Sequence, residues 1–215
     1  MKPEHIVSII EHARRDFGPL SPTPPPVWTG APALKIIDCV LSLNRDYKRV
    51  VEPRVNEFGR THPGVRSCAD LREMITTAES PAGFLEGHLR TKDPSRAATL
   101  LGVTEFALLA QASFKQDDEE ARLAAWAADA RPGDYLEVGV RGFALAGFQY
   151  LRILFGADTV KPDRHIIRWV AQATGREENE VGDVEALYAM ERAAKQGKFS
   201  AAWLDHEVWK RATTH

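Results

Sequence analysis

The stretch Tyr135–Val170, YLEVGVRGFALAGFQYLRILFGADTVKPDRHIIRWV, decides how the rest of the chain is read. Gly139 and Gly142 flank Val140 and Arg141. They predict a turn, because glycine adopts positive φ and lets another backbone come close. Residues 143–155 then place Phe143, Leu145, Ala146, Tyr150, Ile153 and Leu154 at helical spacing. Gly156-Ala157-Asp158-Thr159 breaks that pattern. Pro162 suits the first turn of a new helix, where a missing N–H costs nothing. Asp163 beside it sits where the helix dipole favours a carboxylate. The Pro-Asp pair therefore reads in two ways, as a helix cap or as a catalytic carboxylate kept ionised beside a basic loop.

The stretch resembles the helix-hairpin-helix segment and aspartate loop of the endonuclease III-like (HhH-GPD) DNA glycosylase superfamily. In that family a Gly-hydrophobic-Gly hairpin precedes a helix, and a short loop then leads to an aspartate followed by x-His-hydrophobic-x-Arg. Asp163, His165, Ile166 and Arg168 match the second part. Gly139-Val140-Arg141-Gly142 has one residue more between its glycines than the usual hairpin, and Leu136-Glu137 stands where the family has Leu-Pro. Upstream, Leu41-Ser42-Leu43-Asn44-Arg45-Asp46 resembles the family's Leu-Ser-x-Gln-x-x-Asp element, which ends an early helix and faces DNA. The resemblance spans about residues 34–210, with its specific signal in these two segments.

Composition sets the class. The chain has 215 residues, 44% apolar and 27% charged, which suits one globular core or two lobes. No apolar run approaches the roughly 18 residues of a membrane helix. Met1-Lys2-Pro3-Glu4-His5 lacks an apolar signal core, so a cytoplasmic protein is expected, and the resemblance implies one associated with the nucleoid. Cys39 and Cys68 are too few for a disulfide framework, and Cys39 reads as a small core residue. The net charge of −2 argues against a general polyanion binder, but nucleic-acid binding needs only a local basic face. Residues 117–137 hold seven acids against two bases, whereas residues 141–170 hold five bases against two acids. The basic part coincides with the opening stretch.

Periodicity predicts helices over 3–16, 33–43, 45–58 with a break or kink at Pro53, 67–78, 81–89, 94–101, 105–114 capped by Thr104, 117–130, 179–195 and from Ser200 to about Ala212. Residues 18–32 hold a proline-rich connector that cannot be helical. No alternating run demands a sheet. The expected fold is all-α. The resemblance implies two helical lobes meeting at a central cleft: a six-helix-type lobe, 34–155, which includes the hairpin, and a second lobe formed by 1–33 plus 156–215.

The resemblance also implies the roles. Asp163 stabilises a sugar cation and activates water. The hairpin N–H groups of Gly139, Val140, Arg141 and Gly142 hold phosphate, with charge from Arg141, Lys161 and Arg164. Asn44 and Arg45 fill the gap left by the flipped base, or else form an ordinary polar helix end. His165 is counted with these DNA-binding residues in a structural role, bonding the hairpin backbone rather than acting as a base, and His206 beside Asp205 reads as a helix face. The tryptophans are core candidates. Family members that also cut the strand carry a lysine just after the hairpin; the matched position here is Leu145, and Lys161 is the nearest lysine. Many members hold a four-cysteine iron–sulfur cluster near the C-terminus, and no cysteine follows Cys68, so no cofactor and no metal ligand is expected. The implied protein is a monomeric, monofunctional base-excision-repair glycosylase acting on double-stranded DNA with a damaged or mispaired base, off the membrane. The alternatives are a non-catalytic helix-hairpin-helix DNA-binding protein, a bifunctional glycosylase/lyase using Lys161, and a helical interaction protein without nucleic acid.

Overall fold

A computed structural model describes residues 1–214. It is all-α: eleven α-helices and no strand among the described residues. In chain order they are α1 (Pro3–Phe17), α2 (Pro32–Leu41), α3 (Glu52–Thr61), α4 (Cys68–Thr77), α5 (Pro81–Leu89), α6 (Pro94–Gln111), α7 (Glu119–Asp129), α8 (Leu145–Leu154), α9 (Arg164–Thr174), α10 (Asp183–Gly197) and α11 (Ala201–Thr213). A π-helical turn at Tyr47–Val51 precedes α3, and short 3-10 turns occupy Pro132–Glu137 and Glu178–Glu180.

Local chemistry explains the ends. Ser67, Ser80, Asp93, Asp118, Asp163 and Ser200 each accept a main-chain N–H of their helix's first turn. Gly18 ends α1 and Gly175 ends α9, both at positive φ. Residues 19–31 carry no helix, as their prolines require.

Three local expectations are corrected. The two helices foreseen over 94–101 and 105–114 are one helix, α6. Gly102 does not break it, and Thr104, instead of capping, is buried and donates to the Leu100 carbonyl at 2.7 Å. Pro53 neither breaks nor kinks a long helix; it lies in the first turn of α3, just after the π-helical turn. Pro162 precedes the cap rather than opening α9, because Asp163 is the capping residue.

The chain forms two compact units, one of residues 28–155 and one of residues 1–27 with the chain from Gly156 onward. Residues 28–33 thus group with the first of these. In the unit of 28–155, α2 is buried along nearly its whole length, including Lys35 and Asp38, each 1% exposed. The Asp38 carboxylate accepts from Tyr47 (2.8 Å) and Tyr150 (2.7 Å), which ties α2 to the π-helical turn and to α8. Lys35 Nζ bonds Glu120 of α7 and lies 5.0 Å from the Phe155 ring centroid. A core that holds these ions is possible because each has a partner. In the other unit α1 packs on α9 and α10, and α9 on α11. Trp169 sits among His12 and Phe17, its indole N–H donating to Asp16 at 3.1 Å.

Candidate functional site

In the unit of 28–155, α6 supports both segments that sequence reading singled out. Its first turns carry Arg96, whose guanidinium donates to the carbonyls of Val40 (2.6 Å) and Leu43 (3.0 Å). The Val40 carbonyl, in the last turn of α2, also accepts the Leu43 N–H at 3.4 Å. Arg96 also pairs with Asp93 at 3.2 Å, and Arg45 reaches Thr91 (2.9 Å) and Asp93 (3.4 Å). The turn after α2 is thereby fixed. Asn44 is exposed there at φ 55°, a conformation that asparagine tolerates better than most residues.

One turn further along α6, Thr99 Oγ1 donates to the Arg141 carbonyl at 2.9 Å. Gly102 meets Val140: a Cβ on Gly102 would lie 2.9 Å from Val140 Cγ2. The hairpin itself has Gly139 at φ 65° and Gly142 at φ 83°, closed by the Phe143 N–H on the Val140 carbonyl at 3.1 Å. Among the described residues the N–H groups of Gly139, Val140, Arg141 and Gly142 donate to no protein group, and Gly139, Arg141 and Gly142 are exposed. These N–H groups are left to solvent or to a ligand. Behind it, Gly147 of α8 lets Phe143 and Leu43 come close, since a Cβ there would meet them at 2.9 and 3.1 Å. Leu145 is 2% exposed and belongs to the core.

In the other unit, Asp163 Oδ1 accepts the N–H groups of His165 (2.9 Å) and Ile166 (3.3 Å). Its Oδ2 lies 3.9 Å from Lys161 Nζ, with the side chains 24% and 18% exposed respectively. The Asp163 N–H donates to the Lys161 carbonyl at 2.7 Å, so the Lys-Pro-Asp segment folds tightly on itself. Asp163 is thus a genuine cap, and its second oxygen faces a cation rather than the helix. Arg164 is exposed. Arg168 pairs with Glu178 at 3.1 Å. His165 is half-buried, and burial holds its pKa below the usual histidine value, opposed by Asp163.

Two groups escaped sequence reading. The Lys161 N–H donates to Asp205 Oδ1 of α11 at 2.8 Å. Burial, reinforced by the Asp163 charge, pushes the Asp205 carboxyl up to about 7. Asp38 is the other: burial first, then its charge, raises the Tyr47 and Tyr150 hydroxyls. The only sequence signal was an acid and a base, Lys35 and Asp38, inside an otherwise apolar helix. Trp126 and Trp169 are buried as expected of core residues, whereas Trp28 is 36% exposed. Cys39 and Cys68 are free and buried. Among the described residues no group of three or more His, Cys, Asp or Glu side chains is placed to hold a metal ion. No helix there is long and apolar enough to cross a membrane.

These features define a helical protein with two compact units, an exposed glycine hairpin in one and a helix-capping, lysine-paired aspartate in the other. Residues 8–213 match the family described as "Domain of unknown function (DUF8548)", and the chain belongs to that family. No curated protein and no solved structure matches it.

Proposed function

We propose that this protein is a monofunctional DNA glycosylase with a two-lobed HhH-GPD-like fold, in which Asp163 serves the hydrolysis of an N-glycosidic bond. The observation that carries the reading is Asp163 itself. One carboxylate oxygen is held by two main-chain N–H groups and the other faces Lys161, within a segment that reads Asp-x-His-Ile-x-Arg. A carboxylate fixed this way needs no reorganisation when charge develops beside it. The unpartnered N–H groups of Gly139–Gly142 and the exposed Arg141 are suited to phosphate, and the rigid, exposed Asn44 turn to the gap left by an extruded base.

In the reaction the C1′–N bond breaks with its electron pair leaving on the base. The sugar becomes cation-like, and Asp163 stabilises it. A water oxygen then bonds to C1′ and gives up its proton with Asp163 as base. The product is an abasic site in an intact strand. The test is a panel of duplexes that each carry one uracil, alkylated, deaminated or oxidised base. Single-turnover release of a base, with strand scission only after alkali, is the expected result. No release from any duplex, together with salt-dependent duplex binding, supports instead a non-catalytic DNA-binding protein. That second reading is favoured by the fact that capping alone accounts for two of the contacts of Asp163.

A further inference from the structure

We propose that Asp205, on α11, is the positioning residue of this site: its carboxyl anchors the main chain that carries Asp163 and stands as a second acid beside that residue. The inference deepens the glycosylase reading and rests on it for its catalytic consequence, though not for the anchor itself.

The geometry is compact. The Lys161 N–H reaches Asp205 Oδ1 at 2.8 Å, and the Lys161 carbonyl receives the Asp163 N–H at 2.7 Å. Lys161 Nζ lies 3.9 Å from Asp163 Oδ2. One lysine therefore joins two carboxyls, through its main chain to Asp205 and through its side chain to Asp163. Pro162 between them is buried and its φ is restricted by its ring, so moving Lys161 moves Asp163. Asp205 lies 42 positions beyond Asp163, on a helix that packs against α9. α11 thus braces the segment from which α9 starts.

The two acids have different surroundings. Asp163 Oδ1 accepts two helix N–H groups and its Oδ2 faces Lys161 Nζ. Asp205 is half-buried and faces the Asp163 charge, and its carboxyl is pushed up to about 7. The charged groups acting on it are Lys161 and Asp163, both from the segment before α9. On its own helix His206 and Glu207 follow it directly in sequence. Of the other nearby acids, Asp158 bonds Ser200 and the Ala202 N–H, and Glu191 of α10 bonds Thr159. His165, from the first turn of α9, is kept toward its neutral form by burial. As pH rises through neutrality Asp205 loses its proton, and the negative field behind Asp163 grows. A developing sugar cation is stabilised by that field.

Carboxyl-carbon NMR and Lys161 amide exchange on the full chain test the anchor without DNA. We expect the Asp205 carboxyl to titrate near 7 and the Asp163 carboxyl signal to show a step at the same pH. Asp163→Asn should move the Asp205 titration to lower pH. Asp205→Ala should speed Lys161 amide exchange, whereas Asp205→Asn should not, because its amide oxygen still accepts. The asparagine variant keeps size and acceptor, and it carries the test if the alanine variant does not fold. An Asp205 that titrates in the ordinary carboxylate range, with no step at Asp163, overturns the proposal. So does Lys161 exchange that a folded Asp205→Ala leaves unchanged. On a duplex that the wild type processes, the single-turnover rate should rise about tenfold through neutral pH, a modest charge effect in partly wet surroundings. That rise should vanish in Asp205→Asn with duplex affinity unchanged; a profile identical to wild type overturns the catalytic part. If the wild type releases no base, or Asp163→Asn releases it at full rate, the glycosylase reading fails and the NMR measurements alone decide the anchor.

Discussion

Thr99 donates its hydroxyl to the Arg141 carbonyl at 2.9 Å, and so joins the second turn of α6 to the hairpin. Three residues on, Gly102 leaves the space that Val140 fills. Thr99→Val should cost about 0.5–1.5 kcal/mol, the usual worth of one such bond. Gly102→Ala is the sharper case. Helix propensity alone favours alanine by about 1 kcal/mol. The added methyl would meet Val140 at 2.9 Å, so the hairpin must give way. The expected result is nearly unchanged stability in denaturant, faster amide exchange over residues 138–143, and weaker duplex binding. Gly102→Ala binding with wild-type affinity would remove the hairpin from the interface.

Asp163→Asn should separate chemistry from capping. Asparagine caps a helix about as well as aspartate, so the fold and duplex binding should persist. Excision should fall by at least about 10²-fold, the low end for a positioned acid–base group. Asp163→Ala should in addition lose about 1 kcal/mol of stability with the cap. Thermal melts and single-turnover assays on both variants check this. An Asp163→Asn protein with undiminished excision would show that another carboxylate does the work.

On the proposed reading Lys161, 3.9 Å from Asp163, is the candidate amine for strand cleavage, since Leu145, where the resembling glycosylases carry lysine, is buried and has no nucleophile. Its ammonium faces Asp163 at 3.9 Å and its main chain is tied to Asp205. Attack on C1′ needs a free amine at the sugar. Borohydride trapping on a processed duplex should therefore give no covalent protein–DNA adduct. An adduct that forms efficiently and disappears in Lys161→Ala would make the enzyme bifunctional.

Stability should depend on pH through Asp205. Its folded-state pKa is raised from 3.8 to about 7, so the folded protein holds the proton more tightly than the unfolded chain. The contribution is full below about pH 3.8 and is lost as pH rises through about 7. Asp205→Asn cannot lose it. The variant's stability relative to wild type should therefore grow between those limits, by about 1–3 kcal/mol in all for a partly buried group. His12, His88 and His165 have lowered pKa values and act in the opposite sense, but they cancel in the comparison. Urea titrations at pH 5 and 8 measure the difference; equal differences at both would contradict the raised value.

Lys35 and Glu120 test a different part of the core. Lys35 is 1% exposed while Glu120 is 43% exposed, so the pair is buried at one end only. Removing Glu120 strands a buried ammonium. Because water screens the exposed end, Glu120→Gln should cost only about 1–2 kcal/mol. Lys35→Met fills the same space without a charge and should be neutral or stabilising. A Lys35→Met protein that unfolds more readily than Glu120→Gln would show that the cation on Phe155 matters more than its desolvation.

The sequence by itself determined the helices and most of their ends. The 3.6-residue spacing of apolar positions and the start at Ser200 are local signals, and local signals act wherever the chain goes. It misjudged α6, because Gly102-Val103-Thr104 carries the letters of a break and a cap. Only the neighbours of that helix decide otherwise: Gly102 is small so that Val140 fits, and Thr104 is buried. Asp163 was legible from its own surroundings, Lys-Pro-Asp-Arg-His. Its partner Asp205 was not. A carboxyl in the middle of an amphipathic helix looks like any solvated face until the fold brings a main-chain N–H and a second acid against it. The same holds for Asp38 and Tyr150, bonded across 112 positions. Burial and pairing are properties of a three-dimensional neighbourhood, and they set which acids are ionised; the tertiary structure alone supplies that neighbourhood.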